Sequence, residues 1–168
     1  MALLQSLEKL ERMTKKILEF VVFILFAVMT TLTFAQVFTR FFLNASLSWS
    51  EELARFTLVW LVFTASILTY GEKIHIAVDA LTCKLTGMTS HVVQICNRVC
   101  VLLFCCAVIA GAVEFLPVTA LQKSPACGIL MSYVYSAIPL SMAFMGLTTI
   151  KEICGIIRSM GRTKEDAE

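Results

Sequence analysis

The sequence contains little charge, since only 15% of its 168 residues are Asp, Glu, Lys or Arg. A soluble domain usually carries about a quarter of such residues. Hydrophobic residues make up 58% of the chain, which is more apolar surface than a core of this size can hide. The net charge is only +2, so a nucleic-acid partner is not implied. This balance favours a protein whose solvent is the lipid bilayer.

Several motifs of soluble and redox proteins are also missing. The chain has no glycine-rich phosphate loop, internal repeat or low-complexity segment. None of its seven cysteines forms a CxxC pair, and most lie in apolar segments. Reduced thiols in such segments act as small packing residues. The sequence therefore predicts no cofactor, no metal site, no substrate-binding residue and no catalytic residue. It predicts that the protein is not an enzyme.

Long apolar runs are what the sequence does have. About 20 apolar residues in a helix that rises 1.5 Å per residue cross a hydrocarbon core of about 30 Å. We therefore predict an all-α membrane protein that forms a single transmembrane domain over residues 1–168. Its four transmembrane helices are predicted at approximately 18–39, 52–71, 91–115 and 125–150. A short amphipathic N-terminal helix is predicted before them, because Leu3, Leu7 and Leu10 recur at helical spacing among charged residues.

Basic residues flank these four spans unevenly. Three of them, Arg40, Arg55 and Lys123, fall on one side. Ten fall on the other side: Lys9, Arg12, Lys15, Lys16, Lys73, Lys84, Lys151, Arg158, Arg162 and Lys164. Because cytoplasmic loops carry an excess of Lys and Arg, the count predicts that the N- and C-termini are both cytoplasmic. An even number of spans is consistent with that orientation.

The polar stretch from Asn44 to Arg55 is the start of the second predicted helix. Ser48 and Glu51 are spaced as a capping box, in which each side chain satisfies a backbone amide at the start of a helix. Glu51 and Arg55 are four residues apart and can form an ion pair on one face. Trp49 suits the membrane–water interface. Two interpretations remain open: a well-capped helix start, or a docking surface for a partner.

Three further features lie in or between the predicted spans. His75 and Asp79 are four residues apart in the loop after the second helix; a metal site there would need a third ligand, so a structural hydrogen bond is favoured. Arg98 and Glu114 lie near opposite ends of the third span, where each is predicted to reach the membrane interface, and a salt bridge to a partner subunit is the functional alternative. Pro139 is predicted to break or kink the fourth helix.

The same polar stretches carry a resemblance to a known family. The residues concerned are Gln36-Val37-Phe38, Arg40, Asn44, Leu47-Ser48-Trp49-Ser50-Glu51-Glu52-Leu53-Ala54-Arg55, Trp60-Leu61-Val62-Phe63, His75-Ile76, Val78-Asp79, Ser124-Pro125-Ala126, Tyr135, Ile138 and Pro139. With them the chain resembles the small membrane subunit (DctQ-like, small permease) of tripartite ATP-independent periplasmic (TRAP) transporters. The resemblance covers nearly the whole chain.

The resemblance implies a location, partners and roles for residues. It places the chain in the bacterial inner membrane, in contact with membrane lipids and with a large multi-span membrane subunit that moves the substrate with sodium. A periplasmic substrate-binding protein delivers a small organic acid to that complex. The residues implied as structural or docking groups are Arg40, Ser48, Trp49, Glu51, Glu52, Arg55, His75, Asp79 and Pro139.

Two alternative functions fit these residues less well. A four-helix redox membrane anchor that holds haem or works on quinone needs axial histidines or paired exposed thiols. The only histidines, His75 and His91, lie near the cytoplasmic ends, and Cys105 and Cys106 lie deep in the third span. A free-standing small transporter would need a polar path at the depth of the bilayer, which the sequence does not indicate.

Overall fold

A computed structural model describes residues 2–44, 47–71 and 88–165, and within these the side chains of residues 13–44, 47–70 and 93–156. The described chain forms five helices: α1 at Ala2–Phe42, α2 at Ser48–Gly71, α3 at Met88–Thr119, α4 at Met131–Tyr135 and α5 at Ala137–Glu165. The loop that carries His75 and Asp79 lies outside the described residues, so the prediction of a hydrogen bond between them stays a prediction.

Helix α1 is one uninterrupted element of 41 residues. Residues 2–42 contain neither glycine nor proline, so α1 lacks the residues that most often break a helix. The prediction of a separate short N-terminal helix was therefore wrong, because the helix from Ala2 runs directly into the first span. Threonines in its apolar part, such as Thr30 and Thr31, donate to the carbonyl four residues earlier at 2.8 Å.

Four segments of the described chain are long and apolar enough to cross a membrane, namely Met13–Phe42, Ser48–Tyr70, Val93–Thr119 and Met131–Ile156. This confirms four long apolar helices. The fourth begins at Met131 rather than at the predicted 125, because residues 120–130 form turns. Pro125 and Gly128, which has a φ of 68°, favour turns over a continuous helix.

The chain divides into two compact units. The first comprises Met1–Leu68 and Glu114–Ala137, and the second comprises Thr69–Val113 and Ile138–Glu168. In the first unit the rings of Phe115 and Tyr135 meet edge to face, with their centroids 5.4 Å apart. In the second, Cys105 is buried. The single transmembrane domain predicted over residues 1–168 stays a prediction.

Candidate docking site and buried polar cluster

Helix α2 begins at Ser48, one residue earlier than the predicted cap at Ser48 requires. The carbonyl of Leu47 accepts hydrogen bonds from the amides of Ser50 at 3.1 Å and Glu51 at 3.3 Å, so Leu47 occupies the capping position. Ser48 is then the first helical residue, and the predicted capping box with Glu51 does not form. Glu51 instead accepts a hydrogen bond from Nη2 of Arg55 at 2.8 Å, which confirms the predicted ion pair.

The neighbouring carboxylate, that of Glu52, holds a distant turn of the same compact unit. Its Oε2 accepts a hydrogen bond from the hydroxyl of the buried Ser124. The same oxygen accepts from the backbone amides of Ala126 at 3.2 Å and Cys127 at 3.0 Å. Consecutive amides that point at one oxygen form an anion-binding nest, and here the anion is a side chain of the protein itself.

We call residues 122–131 the outer turn, after the side on which the sequence places Lys123. Its two ends are joined by hydrogen bonds from the amide of Met131 to the carbonyl of Gln122 at 3.0 Å and from Ser124 to Ile129 at 2.9 Å. Gly128 permits the left-handed backbone that closes it. Because the turn is closed on itself, Glu52 binds a preformed pair of amides and fastens the turn to the start of α2.

Cys127 adds a second contact between the outer turn and α2. Its Sγ donates a hydrogen bond to the carbonyl of Trp49 at 3.4 Å. Desolvation raises the pKa of the Cys127 thiol, and the negative charge of Glu52 raises it further. The thiol therefore stays protonated at neutral pH and keeps its role as a donor.

The predicted docking residues divide into two groups in the structure. Glu52 is engaged within the chain, as described above. Arg40, Trp49, Glu51 and Arg55 are exposed, and the Trp49 side chain is 48% accessible. The start of α2 thus presents one aromatic ring and one ion pair outward, while the partly exposed Glu52 carboxylate holds the outer turn.

A second polar cluster lies in the other compact unit. Nη1 of Arg98 on α3 and Oε2 of Glu152 on α5 form an ion pair at 3.1 Å, with the two side chains only 14% and 13% exposed. The same guanidinium donates to Oη of Tyr70 on α2 at 3.3 Å, and it lies 5.7 Å from the centre of that ring. Three helices therefore meet at one arginine.

The hydroxyls of this cluster form a directed chain of hydrogen bonds. Thr149 donates its proton to the carbonyl of Met145 at 2.8 Å. Oη of Tyr70 lies 2.7 Å from Oγ1 of Thr149 and must be the donor in that contact, because Thr149 has only one proton. Tyr70 in turn accepts from Arg98. Hydrogen bonds in such a series polarise one another, which strengthens the whole cluster.

The ion pair changes the interpretation of Arg98. A salt bridge to a partner subunit was its predicted functional alternative, but the structure supplies an acidic partner within the chain. Glu152 was not predicted from the sequence, because the predicted fourth span ends at residue 150, two residues before it. One signal could have found the cluster. Tyr70, Arg98 and Glu152 all lie near the predicted cytoplasmic ends of their spans, which are the second, third and fourth. Glu114, by contrast, is exposed.

Pro139 lies in the first turn of α5 and not deep within a helix. The helical path breaks at Ser136, between α4 and α5, which confirms the predicted break. The Ser136 hydroxyl donates to the carbonyl of Tyr133 at 2.8 Å at this break.

In the part of the chain that the structure describes, no three His, Cys, Asp or Glu side chains gather as metal ligands. The six cysteines described there are free thiols.

Four apolar helices of membrane-crossing length, with the largely buried Arg98 and Glu152 paired inside the chain, define a multi-pass helical membrane protein. Residues 29–159 match the family described as "Tripartite ATP-independent periplasmic transporters, DctQ component". The chain belongs to this family. It is accordingly a small permease component of a TRAP transporter, and not an enzyme.

Individual relatives agree with the family. Two proteins of Haemophilus influenzae, each named "Putative TRAP transporter small permease protein", are 30% identical over 114 residues and 29% identical over 86 residues. The first match covers 68% of this chain and 69% of the relative, and the second covers 51% and 53%. The "Isethionate TRAP transporter permease protein DctMQ" of Oleidesulfovibrio alaskensis is 25% identical over 119 residues, which are 70% of this chain but 19% of that longer protein.

Proposed function

We propose that this chain is a supporting subunit that packs against the large membrane subunit of a sodium-coupled TRAP transporter and holds no substrate itself. A periplasmic binding protein delivers a small organic acid to the complex. The observation that carries this proposal is the first candidate span, none of which is buried within the chain. It exposes large apolar side chains along its length, among them Phe23, Phe34 and Phe41. A surface of this kind suits a partner helix as well as lipid.

The start of α2 is the polar part of the proposed docking surface. Trp49, Glu51 and Arg55 are exposed there, and the Glu52 contact to the outer turn keeps that region in one conformation. Aromatic residues and arginine are enriched at the centres of protein interfaces. The fused name of the Oleidesulfovibrio relative supports the pairing of a small and a large permease part in one complex.

Co-purification tests the proposed complex. The tagged chain is extracted from native membranes in mild detergent, and we expect a large polytopic subunit to come with it in a one-to-one ratio. Recovery of the free chain alone would count against the proposal. Uptake in liposomes supplies the second arm: a small organic acid should accumulate only with the large subunit, the binding protein and a sodium gradient. Transport by this chain alone would overturn the supporting role.

Charge reversal separates docking from simple helix capping. Glu51→Arg and Arg55→Glu should each lower the yield of the complex. The double variant E51R/R55E restores an internal ion pair but presents inverted charges, so it should stay defective if the residues dock. Full yield of the complex with the double variant would show that the pair only stabilises the helix. The exposed Lys15–Glu19 pair on α1 has the same spacing and supplies a matched control.

The membrane orientation is part of the same proposal. Ten basic residues against three support cytoplasmic N- and C-termini in a bacterial inner membrane. An epitope tag at each end tests this directly. Both tags should react with antibody only after the inner membrane is permeabilised. Labelling of either tag in intact spheroplasts would contradict the orientation.

A further inference from the structure

The C-terminal part of α1 carries an open groove of about 270 Å³ that is lined by Gln36, Val37, Arg40 and Phe41. Gln36 and Arg40 are four residues apart, so their polar ends lie on one face of the helix. Val37 and Phe41 flank them with apolar surface. The groove therefore combines hydrogen-bond donors with apolar side chains.

Both polar residues of the groove have unused donors. The side-chain nitrogen of Gln36 is buried and has no hydrogen-bond partner among the described residues. A buried amide in that state is unfavourable until an acceptor reaches it. The other two arginines whose side chains are described, Arg55 and Arg98, each pair with a glutamate. No such carboxylate lies beside Arg40 in the described part of the chain.

The surroundings of the groove match the border between the hydrocarbon core and the headgroups. Phe41 and Phe42 are 76% and 74% exposed, and they stand at the end of the first candidate span. An arginine at the end of a span can extend its charged group to the headgroups, while phenylalanine rings suit the adjoining acyl chains. A ligand here meets an arginine and an amide at its polar end and apolar side chains along the rest of its length.

We propose that this groove binds the phosphate of an anionic phospholipid. The guanidinium of Arg40 takes two phosphate oxygens with its fork of N–H donors, and the Gln36 amide donates to a third acceptor. The acyl chains lie along Val37 and the apolar face of α1. A lipid fits better than a carboxylate of a protein partner, because the groove is open, its span is unburied, and its walls suit a ligand with a charged head and an apolar tail.

Native mass spectrometry tests the lipid site with the full-length chain. The protein is purified in detergent and titrated with phosphatidylglycerol, and with phosphatidylcholine as the uncharged comparison. Arg40→Gln should lower phosphatidylglycerol retention about fivefold, the effect of one basic residue at an anionic membrane surface. Gln36→Leu should lower it less. Arg55→Gln is the matched control and should leave retention unchanged, because Arg55 is engaged by Glu51.

Two results would overturn the site. Equal phosphatidylglycerol retention by R40Q and R55Q would show that Arg40 holds no lipid. Unchanged lipid retention combined with loss of the large subunit from R40Q would assign the groove to a protein partner. Arg40→Lys keeps the charge but loses the fork, so it should retain an intermediate amount of lipid. Circular dichroism verifies that each variant keeps its helices, and the lysine variant decides the matter if the glutamine variant does not fold.

Discussion

Two polar sites of this chain satisfy a charged side chain in different ways. At the outer turn, one carboxylate oxygen of Glu52 accepts hydrogen bonds from two backbone amides and the Ser124 hydroxyl. In the other compact unit, the charge of Arg98 is satisfied by side chains from two further helices. The backbone site depends on the shape of a turn, whereas the side-chain cluster depends on the identity of each residue. Substitutions should therefore do more harm in the cluster.

The largest effect is expected from splitting the Arg98–Glu152 pair. Arg98→Met or Glu152→Leu leaves an uncompensated charge in an apolar region, and each should lower the free energy of unfolding by about 3–5 kcal/mol. The double variant R98M/E152L removes both charges and should recover most of that loss. Unfolding in mixed micelles measures all three. A double variant as unstable as the sum of the singles would contradict a direct pair.

A smaller loss of stability is expected when Glu52 is replaced by Gln. The amide oxygen can still accept a hydrogen bond, but it lacks the charge that faces the outer turn. Removal of that charge also lowers the pKa of the Cys127 thiol. The pH profile of Cys127 alkylation, followed by peptide mass spectrometry, should therefore move to lower pH. Glu51→Gln, one residue away and exposed, is the control and should leave the profile in place.

Tyr70→Phe tests how much the hydroxyl contributes to the cluster around Arg98. It removes the hydroxyl that links Arg98 to Thr149 while keeping the ring. We expect a loss of about 1–2 kcal/mol in the free energy of unfolding, since one of the lost bonds involves a charge. Tyr133→Phe removes an exposed hydroxyl and serves as the control. Equal stability of the two variants would mean that the hydroxyl chain contributes nothing.

The smallest effect is expected at the exposed pair of α2. Arg55→Gln breaks only the ion pair with Glu51, which is open to solvent at both ends. Pairs of this kind contribute about 0.3–0.5 kcal/mol, and salt screens them. The stability of the isolated chain should hardly change, while complex formation should fall if Arg55 docks. A loss of stability comparable with that of E152L would show that this pair belongs to the structural group.

Local features of the chain were predictable and distant contacts were not. The four apolar helices and the Glu51–Arg55 pair follow from composition and from helical spacing, which act over a few residues. The bond between Glu52 and Ser124 joins residues 72 positions apart, and no spacing rule reaches that far. Pro125 and Gly128 indicate a turn, but the predicted fourth helix begins at 125 because the surrounding residues carry no charge. His75 and Asp79 lie outside the described residues.

The charged residues of α1 set a condition on the bilayer around it. Met13–Phe42 has 30 residues, but its long charge-free run covers only residues 20–39, and at 1.5 Å each these 20 residues measure about 30 Å. That length equals the thickness of a typical hydrocarbon core, so Glu19 and Arg40 can both lie at its borders. A thicker or thinner membrane would draw one of these charges into the hydrocarbon or make the helix tilt, so lipid composition can change how this subunit sits.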